Sequence, residues 1–422
     1  MENNPVAIVL GGTVPHCYLI QLLKKRGYHT VLIDYTPNPP AKAFADEHVQ
    51  KSTLDKDTVL QVAREKNAAL VISTNVDQAN VTCCYVAERL GLPHPYSYET
   101  ALNVTDKKRM KQIMWDHDIP TSRYVVVKDL NGLQGVQLHY PLIVKPADSN
   151  SAKGVKRVES EDELRKYLPE ALVFSRNGFA IVEEFKEGKE ISAYGVVVNG
   201  RAKLIMHQER ISVYDGLDRV IKCYSSLAPS RISEHAAIKA EMILTQIAQA
   251  FGLDNTPLFF QGIVQGDEIS VIEFAPRVGG GISFRTIMDG TGFDMISAGV
   301  DSFLCIPIKT DDWRPMNQFY AVNQIYGENG VYDHSEGVER LLQEGIVQSV
   351  SFYKSKGEVL DTSRANSSRI GVIVVSGSSQ DELRRKIATA FSTLDSFDIN
   401  GKSIIRRDLN LDALWETAYT NS

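Results

Sequence analysis

The alternation of short apolar runs with helix-periodic stretches over the first hundred residues constrains this chain more than any other feature. "VAIVLGG", Val6 to Gly12, ends in glycine; "YLIQLLKKRGY" follows with apolar residues at helical spacing, and then comes "TVLIDY". A helical stretch at "KDTVLQVAREKN", a strand at "AALVIST" and a helix at "NVTCCYVAERLG" continue the pattern. Strand and helix in repeated succession predict a parallel, doubly wound α/β sheet over residues 1–100.

From Thr105 the texture changes. A helix at "DKKRMKQIMWDHD" leads into "IPTSRYVVV", and paired strands with longer loops then replace the steady alternation, which predicts an α+β region over residues 101–317. The remainder, 318–422, reads as a smaller α/β unit in which the strands "RIGVIVVSG" and "KSIIRRD" flank the helix "SQDELRRKIATAFSTL". The sequence shows no internal repeat and no low-complexity tract.

Composition narrows the partners. A formal charge of -6 without a long basic run argues against nucleic acid and favours small molecules. Five cysteines, odd in number and without CxxC spacing, argue against a disulfide framework or a zinc site and fit a reducing cytoplasm. The start "MENNPVAIVLGG" lacks the pattern of a signal peptide, and no stretch approaches 18 uninterrupted apolar residues, so neither export nor a membrane span is expected.

Two glycine motifs carry little. The pair in "VLGGTVPHC" lacks the second and third glycine positions of a dinucleotide fingerprint and reads as a structural turn, although Asp34 stands where a ribose acceptor would. "GKS" at Gly401 to Ser403 lacks the upstream glycine of a phosphate-binding loop and reads as a hairpin turn.

Three stretches carry more. In "YPLIVKPADSNSAKGVKRV", Lys145 ends an apolar strand, and a small polar loop containing Ser149 and Ser151 runs to Gly154. Such a loop can turn amides and hydroxyls toward phosphate oxygens above the lysine; alone it reads equally as a solvated hairpin. In "FAIVEEFKEGKEISAYGVVV", Glu183 and Glu184 end one strand and Glu190 starts the next, placed to accept from an amino group or a diol, or else to face water. "PLFFQGIV" and "ISVIEFAPR" flank the turn "QGDE". A turn centred on Asp267 sets Gln261 across from Glu273, with Ala275 and Arg277 on the same face; a turn one residue shorter shifts that pairing by one. In the favoured register a hard cation finds oxygens in Glu273 and Gln261, Arg277 points at neighbouring anionic oxygens, and Gly279 to Gly281 leave room for backbone; the alternative is a plain Glu273 to Arg277 ion pair.

Taken together and in this order, these stretches resemble the ATP-grasp superfamily over nearly the whole chain. The resemblance implies a Rossmann-like preceding domain (1–100), an ATP-grasp fold of two α+β subdomains holding ATP between antiparallel sheets (101–317), and a small C-terminal domain (318–422). It implies Lys107 of "DK" as the first nucleotide-binding lysine and Lys145 as the second, near the α-phosphate. Ser149, Ser151 and Gly154 then belong to a phosphate-covering loop. Glu183, with backbone groups of Glu184 and Lys186, reads the adenine, and Glu190 holds the ribose. Gln261 and Glu273 hold magnesium, with manganese an alternative, and Arg277 contacts the reacting phosphoryl group. Arg285 in "GGGISFRT" is a candidate for a substrate carboxylate, with an ordinary surface arginine as the alternative.

The implied activity is that of an ATP-dependent carboxylate–amine ligase: an acylphosphate forms, an amine attacks it, and an amide or peptide-like bond results with ADP and phosphate. Small carboxylates and amines are the expected partners, and a homodimer is compatible with the reading. Within the superfamily the chain looks closest to L-amino acid ligases and the purine-pathway and biotin carboxylase-like branch, with carbamoyl phosphate synthetases related. It departs from the family at Gln261, where most members carry an acid, and at Ala275, where most carry an asparagine. Two alternatives remain: an enzyme that forms carboxyphosphate from bicarbonate, and a nucleotide-binding module without ligase activity, for which Ala275 is the hint.

Overall fold

The computed structural model describes residues 4–148, 154–215, 220–364 and 366–409. Val6–Leu10 lies in the middle of a four-stranded parallel sheet, between His29–Ile33 and Ala68–Ile72, with the short strand Glu47–Val49 outside His29–Ile33. The three longer strands are almost wholly buried, which is why they read as unbroken apolar runs. The helices Val14–Lys25, Lys56–Glu65 and Asp77–Leu90 stand where the sequence predicts them.

The glycine pair is a packing turn. Gly11 has φ +105°, and the His16 ring lies 2.8 Å from where a Cβ on it would stand; Pro39 lies 2.4 Å from the equivalent point on Gly12. The close backbone approach that a pyrophosphate needs is taken up by the protein's own side chains.

Beyond the parallel sheet lie two antiparallel sheets of four and eight strands, and a three-stranded one in which Gly330–Glu336 pairs with Val359–Leu360 and Asp395–Asp398. The four-stranded one runs Tyr124–Val127, Ala180–Glu184, Leu142–Pro146, Lys156–Val158. Its alternation turns Leu142, Val144, Ala180 and Val182 into a core shared with the helix Glu161–Val173, leaving Lys145 and Glu183 on the opposite face. The larger sheet has eight strands and begins with the hairpin Glu268–Ala275 and Thr256–Gln265, followed by Lys189–Val198, Arg201–Asp215 and Val220–Ala228. It continues without a break into Phe319–Tyr326, Arg369–Gly377 and Ser349–Phe352, so these three strands after residue 318 extend the same sheet.

"KSIIRRD" does not form the expected strand. Only Ser403 and Ile405 make isolated bridges, and the pairing with Gly330–Glu336 falls instead to the polar segment Asp395–Asp398. Gly401, at φ +77°, donates its N–H to Asp398 O at 2.9 Å, which makes "GKS" part of a turn. None of the described helices is long and apolar enough to cross a membrane.

Candidate active site

Asp106 caps the helix Lys107–Asp116 by accepting from the N–H groups of Lys108 and Arg109 at 2.9 and 3.3 Å. That cap fixes where the helix starts, and four-residue spacing then sets Lys107 and Lys111 on one face. Met110, Lys111 and Met114 are its buried residues, an unusual place for a lysine.

Lys111 reaches Glu183. Its Nζ donates to Thr121 Oγ1 at 2.6 Å and lies 2.7 Å from Glu183 Oε2, an ion pair whose angle falls short of a hydrogen bond. Lys145 Nζ donates to the other carboxylate oxygen at 2.5 Å. All three side chains are nearly sealed from solvent, at 1%, 6% and 7% exposure for Lys111, Lys145 and Glu183. Burial pushes the Glu183 carboxyl up, but Lys111 and Lys145 outweigh it and bring it down to about 2. Burial dominates at Lys111 and takes it down to about 8 despite the attraction of Glu183.

The hairpin brings in the second carboxylate. Gln261 does pair with Glu273, as the sequence reading favours, but the route differs. The turn is the two-residue Gly266–Asp267 with Gln265 opposite Glu268, one residue shorter than assumed, and a bulge between Gln261 and Gly262 restores the offset. Gly262 sits at that bulge because a Cβ there would stand 2.9 Å from Ser270 O. Glu273 Oε2 lies 2.9 Å from Lys107 Nζ. Lys107 above all, against the opposing effect of burial, holds the Glu273 carboxyl down at about 2. Gln261 and Glu273 are two hard oxygen donors directly opposite each other, and among the described residues no three His, Cys, Asp or Glu side chains gather into a metal cage of their own. This donor set fits magnesium, which keeps waters and shares one or two protein oxygens with phosphates.

Arg277 does not pair with Glu273. Its Nε and Nη2 donate to Asp77 Oδ1 and Oδ2 at 2.5 and 2.7 Å, and Nη1 donates to Val278 O at 2.8 Å. Asp77 comes from the parallel-sheet unit, at the start of the helix Asp77–Leu90. A guanidinium has five N–H groups, so this fork leaves donors for an anion. Beside it lies a cavity of about 30 Å³ lined by Asp77, Lys107, Glu273, Ala275 and Arg277, among others, with room for a water or two. Of the three glycines that follow, Gly279 is fixed by packing: a Cβ on it would stand 2.3 Å from the Tyr194 ring. Gly280 and Gly281 both have open space around them, and Gly281 needs its left-handed φ of +65°.

The remaining candidates spread outward. Glu190 Oε1 accepts from Arg210 Nε at 2.7 Å. The backbone N–H of Glu184 is committed to Arg123 O at 2.9 Å, while its carboxylate lies 3.5 Å from Lys186 Nζ. Gly154, at φ +71°, packs against Phe174 and Pro146 so closely that a Cβ would clash; Ser149 and Ser151 lie outside the described residues. Arg285 is 40% exposed, donating to Tyr18 OH at 2.6 Å with Asp289 at 3.6 Å.

Sequence reasoning missed Lys111, Asp77 and Arg210. Lys111 was signalled by its four-residue spacing from Lys107 amid Met110 and Met114. Asp77 follows the carboxyl end of the parallel strand Ala68–Ile72, where open α/β sheets place their functional residues. Arg210 alternates with Gln208 on Arg201–Asp215, a pattern that many strands share.

Residues 113–268 match the family described as D-ala D-ala ligase C-terminus. The carbamoyl phosphate synthase large chain of Pseudomonas syringae pv. tomato is 22% identical over 286 residues, covering 66% of this chain and 26% of that protein. The chain thus spans about a quarter of the length of such curated relatives. The L-amino acid ligase from Bacillus licheniformis superposes with a TM-score of 0.78 at 19% identity, over 94% of this chain and 100% of that one. The biotin carboxylase domain of 2-oxoglutarate carboxylase from Hydrogenobacter thermophilus does so with 0.75 at 16% identity, over 96% and 92%. The fold is thus similar to that of the L-amino acid ligase and the biotin carboxylase domain, and the segment 113–268 matches the D-ala D-ala ligase C-terminal family.

Proposed function

We propose that the chain is an ATP-dependent carboxylate–amine ligase. One observation carries this reading: Lys107, Lys145, Glu183 and Glu273 converge between the small sheet and the hairpin of the large one, so that buried cations and hard oxygen donors meet in one cleft. Such a cleft suits a polyphosphate. Lys145 and Lys107 exchange their carboxylate partners for phosphate oxygens, and Glu183 Oε2, buried and without a hydrogen bond, has the acceptor capacity that an adenine amino group needs. Backbone groups of Glu184 and Lys186 lie along the same edge, and Glu190, steadied by Arg210, takes the ribose. Gly154 would stand at one end of a phosphate-covering loop. Gln261 and Glu273 would hold magnesium or manganese, which supplies neutralisation of phosphate charge.

The chemistry is positioning and electrostatics. A substrate carboxylate oxygen bonds to the γ-phosphorus as the bond to ADP breaks, and Arg277, steadied by Asp77, stabilises the charge on the transferring group with its remaining N–H donors. An amine nitrogen then attacks the acyl carbon, loses a proton and displaces phosphate. The residues 1–100, 101–317 and 318–422 act in this reading as preceding, nucleotide-binding and C-terminal domains, and Arg285 at the outer rim is available to a substrate carboxylate. A homodimer is compatible with it, since the Hydrogenobacter domain is described as a dimer.

A second reading has a specific support. That same structure is described with ADP, its magnesium salt and bicarbonate, so a carboxyphosphate-forming enzyme with the same ATP residues is the alternative. Phosphate release screened over paired carboxylates and amines tests the ligase. Release that needs both partners supports it; release with bicarbonate alone replaces it with the second reading, and no release with any pair leaves a binding module.

A further inference from the structure

Lys111 has no role in the proposed chemistry, yet it is among the most buried charged groups in the described structure. Burying a lysine is costly unless it is paired and hydrogen-bonded, as Lys111 is by Glu183 and Thr121. It faces Glu183 on Ala180–Glu184, Lys145 on Leu142–Pro146 and Glu273 on Glu268–Ala275, with the Thr121 hydroxyl at 2.6 Å and the Tyr124 ring centre at 5.6 Å; Lys107 precedes it by one turn.

Glu183 has two cations in the resting chain, one on each oxygen. If the cleft binds ATP as proposed above, Lys145 leaves Glu183 for a phosphate oxygen. A buried carboxylate with no remaining partner would take up a proton, and a protonated Glu183 presents a poorer acceptor to an adenine amino group. Lys111 prevents this from its own side, because its ion pair is with the other oxygen and its ammonium is anchored by Thr121.

We infer that Lys111 is a positioning residue for the nucleotide: it keeps Glu183 charged and fixed while Lys145 turns to the phosphates. Removing its charge therefore weakens nucleotide binding and erodes the choice of adenine over guanine, whose 6-oxo group offers no donor to a carboxylate. The lowered proton affinity of Lys111 adds a pH signature, since affinity falls as pH rises through about 8 and the ammonium is lost.

The test is calorimetric titration of magnesium ADP and magnesium GDP into the wild-type chain, Lys111→Met and Lys111→Arg between pH 7 and 9.5, with thermal melts to confirm folding. Lys111→Met is expected to weaken ADP roughly ten- to a hundredfold, the scale of one charged hydrogen-bonding partner, and to narrow the ADP to GDP ratio. Lys111→Arg, charged throughout this range, keeps most of the affinity and flattens the pH profile. If Lys111→Met does not fold, the wild-type and Lys111→Arg profiles decide alone. Equal ADP affinity in Lys111→Met and wild type, or the same decline with pH in Lys111→Arg and wild type, overturns the inference while leaving the ATP reading intact. A wild-type chain that binds no ADP overturns both.

Discussion

The Asp77–Arg277 fork joins the parallel-sheet unit to the hairpin, and its removal gives a measurable prediction. Both of its hydrogen bonds are short, at 2.5 and 2.7 Å, and the Arg277 side chain is 10% exposed against 31% for Asp77. Breaking a fully buried pair by deleting one partner costs roughly 3 to 5 kcal/mol, and a hydrogen bond to a charged group contributes about 1.5 to 3 kcal/mol. Water reaches the aspartate side of this fork, so the lower range applies, and the coupling between the two side chains should be about 2 kcal/mol, roughly a thirtyfold change in an equilibrium constant. A double-mutant cycle of Asp77→Ala, Arg277→Ala and the pair, read by urea midpoints, measures it. The same variants divide kinetically. Asp77→Ala leaves Arg277 present but unsteadied, so kcat should fall with little change in KM for ATP, whereas Arg277→Ala lowers kcat further. A coupling below about 0.5 kcal/mol, in the range of an exposed surface pair, would refute the argument that this fork is a buried tether.

Lys145→Ala should weaken nucleotide binding by about 1.5 to 3 kcal/mol in calorimetry, and an unchanged affinity with intact fold removes Lys145 from the site. Glu273→Gln should collapse magnesium-dependent phosphate release in a chain that still folds, with a lowered melting temperature at neutral pH; surviving turnover places the ion elsewhere. Glu183 and Glu273 both sit at about 2 when folded, below the ordinary 4.5, so they stabilise the fold at neutral pH and that stability is lost as pH falls from about 4.5 toward 2. Glu183→Gln should flatten that acid limb in a pH series of melts, and an unaltered limb counts against its two-lysine pairing. Ala275→Asn, beside the small cavity, should lower the magnesium concentration for half-maximal turnover modestly, since one amide oxygen replaces a water; an unchanged requirement means position 275 does not reach the ion.

The fold was legible wherever periodicity carried it. Unbroken apolar runs announced the parallel sheet, and motifs put Lys145 and Glu183 at strand ends, but the face they share, opposite Leu142 and Val144, emerges only once the strands pair. The hairpin shows how a correct pairing can rest on a wrong premise: Gln261 faces Glu273 because a shorter turn and a bulge offset each other, and only Gly262, a glycine inside a strand, hinted at the bulge. The strand Asp395–Asp398 was illegible, since its polar residues have no strand preference and are held by pairing with Gly330–Glu336. Site residues followed the same division. Motifs flagged Lys107, Lys145, Glu183 and Glu273, whereas the partners Lys111 and Asp77 come from other elements and depend on tertiary approach, which local pattern does not encode.

Those partners explain why the charges can be buried at all. Lys107, Lys111, Lys145 and Arg277 are four cations, and Glu183, Glu273 and Asp77 are three carboxylates, each bound to a cation from a different element: helix to hairpin, helix to small sheet, hairpin to parallel sheet. The network therefore ties four parts of the chain together, and among these seven side chains the cations outnumber the carboxylates by one. Buried excess charge is unfavourable unless an anion relieves it. In the proposed reading a polyphosphate entering the cleft would do so and take over partners now supplied by carboxylates, which would free Glu273 oxygens for a cation. Stability and binding thus draw on the same groups. Truncating any one of them should disturb both, and a variant such as Lys111→Arg, which keeps the charge and changes its geometry, is the kind that can separate the two.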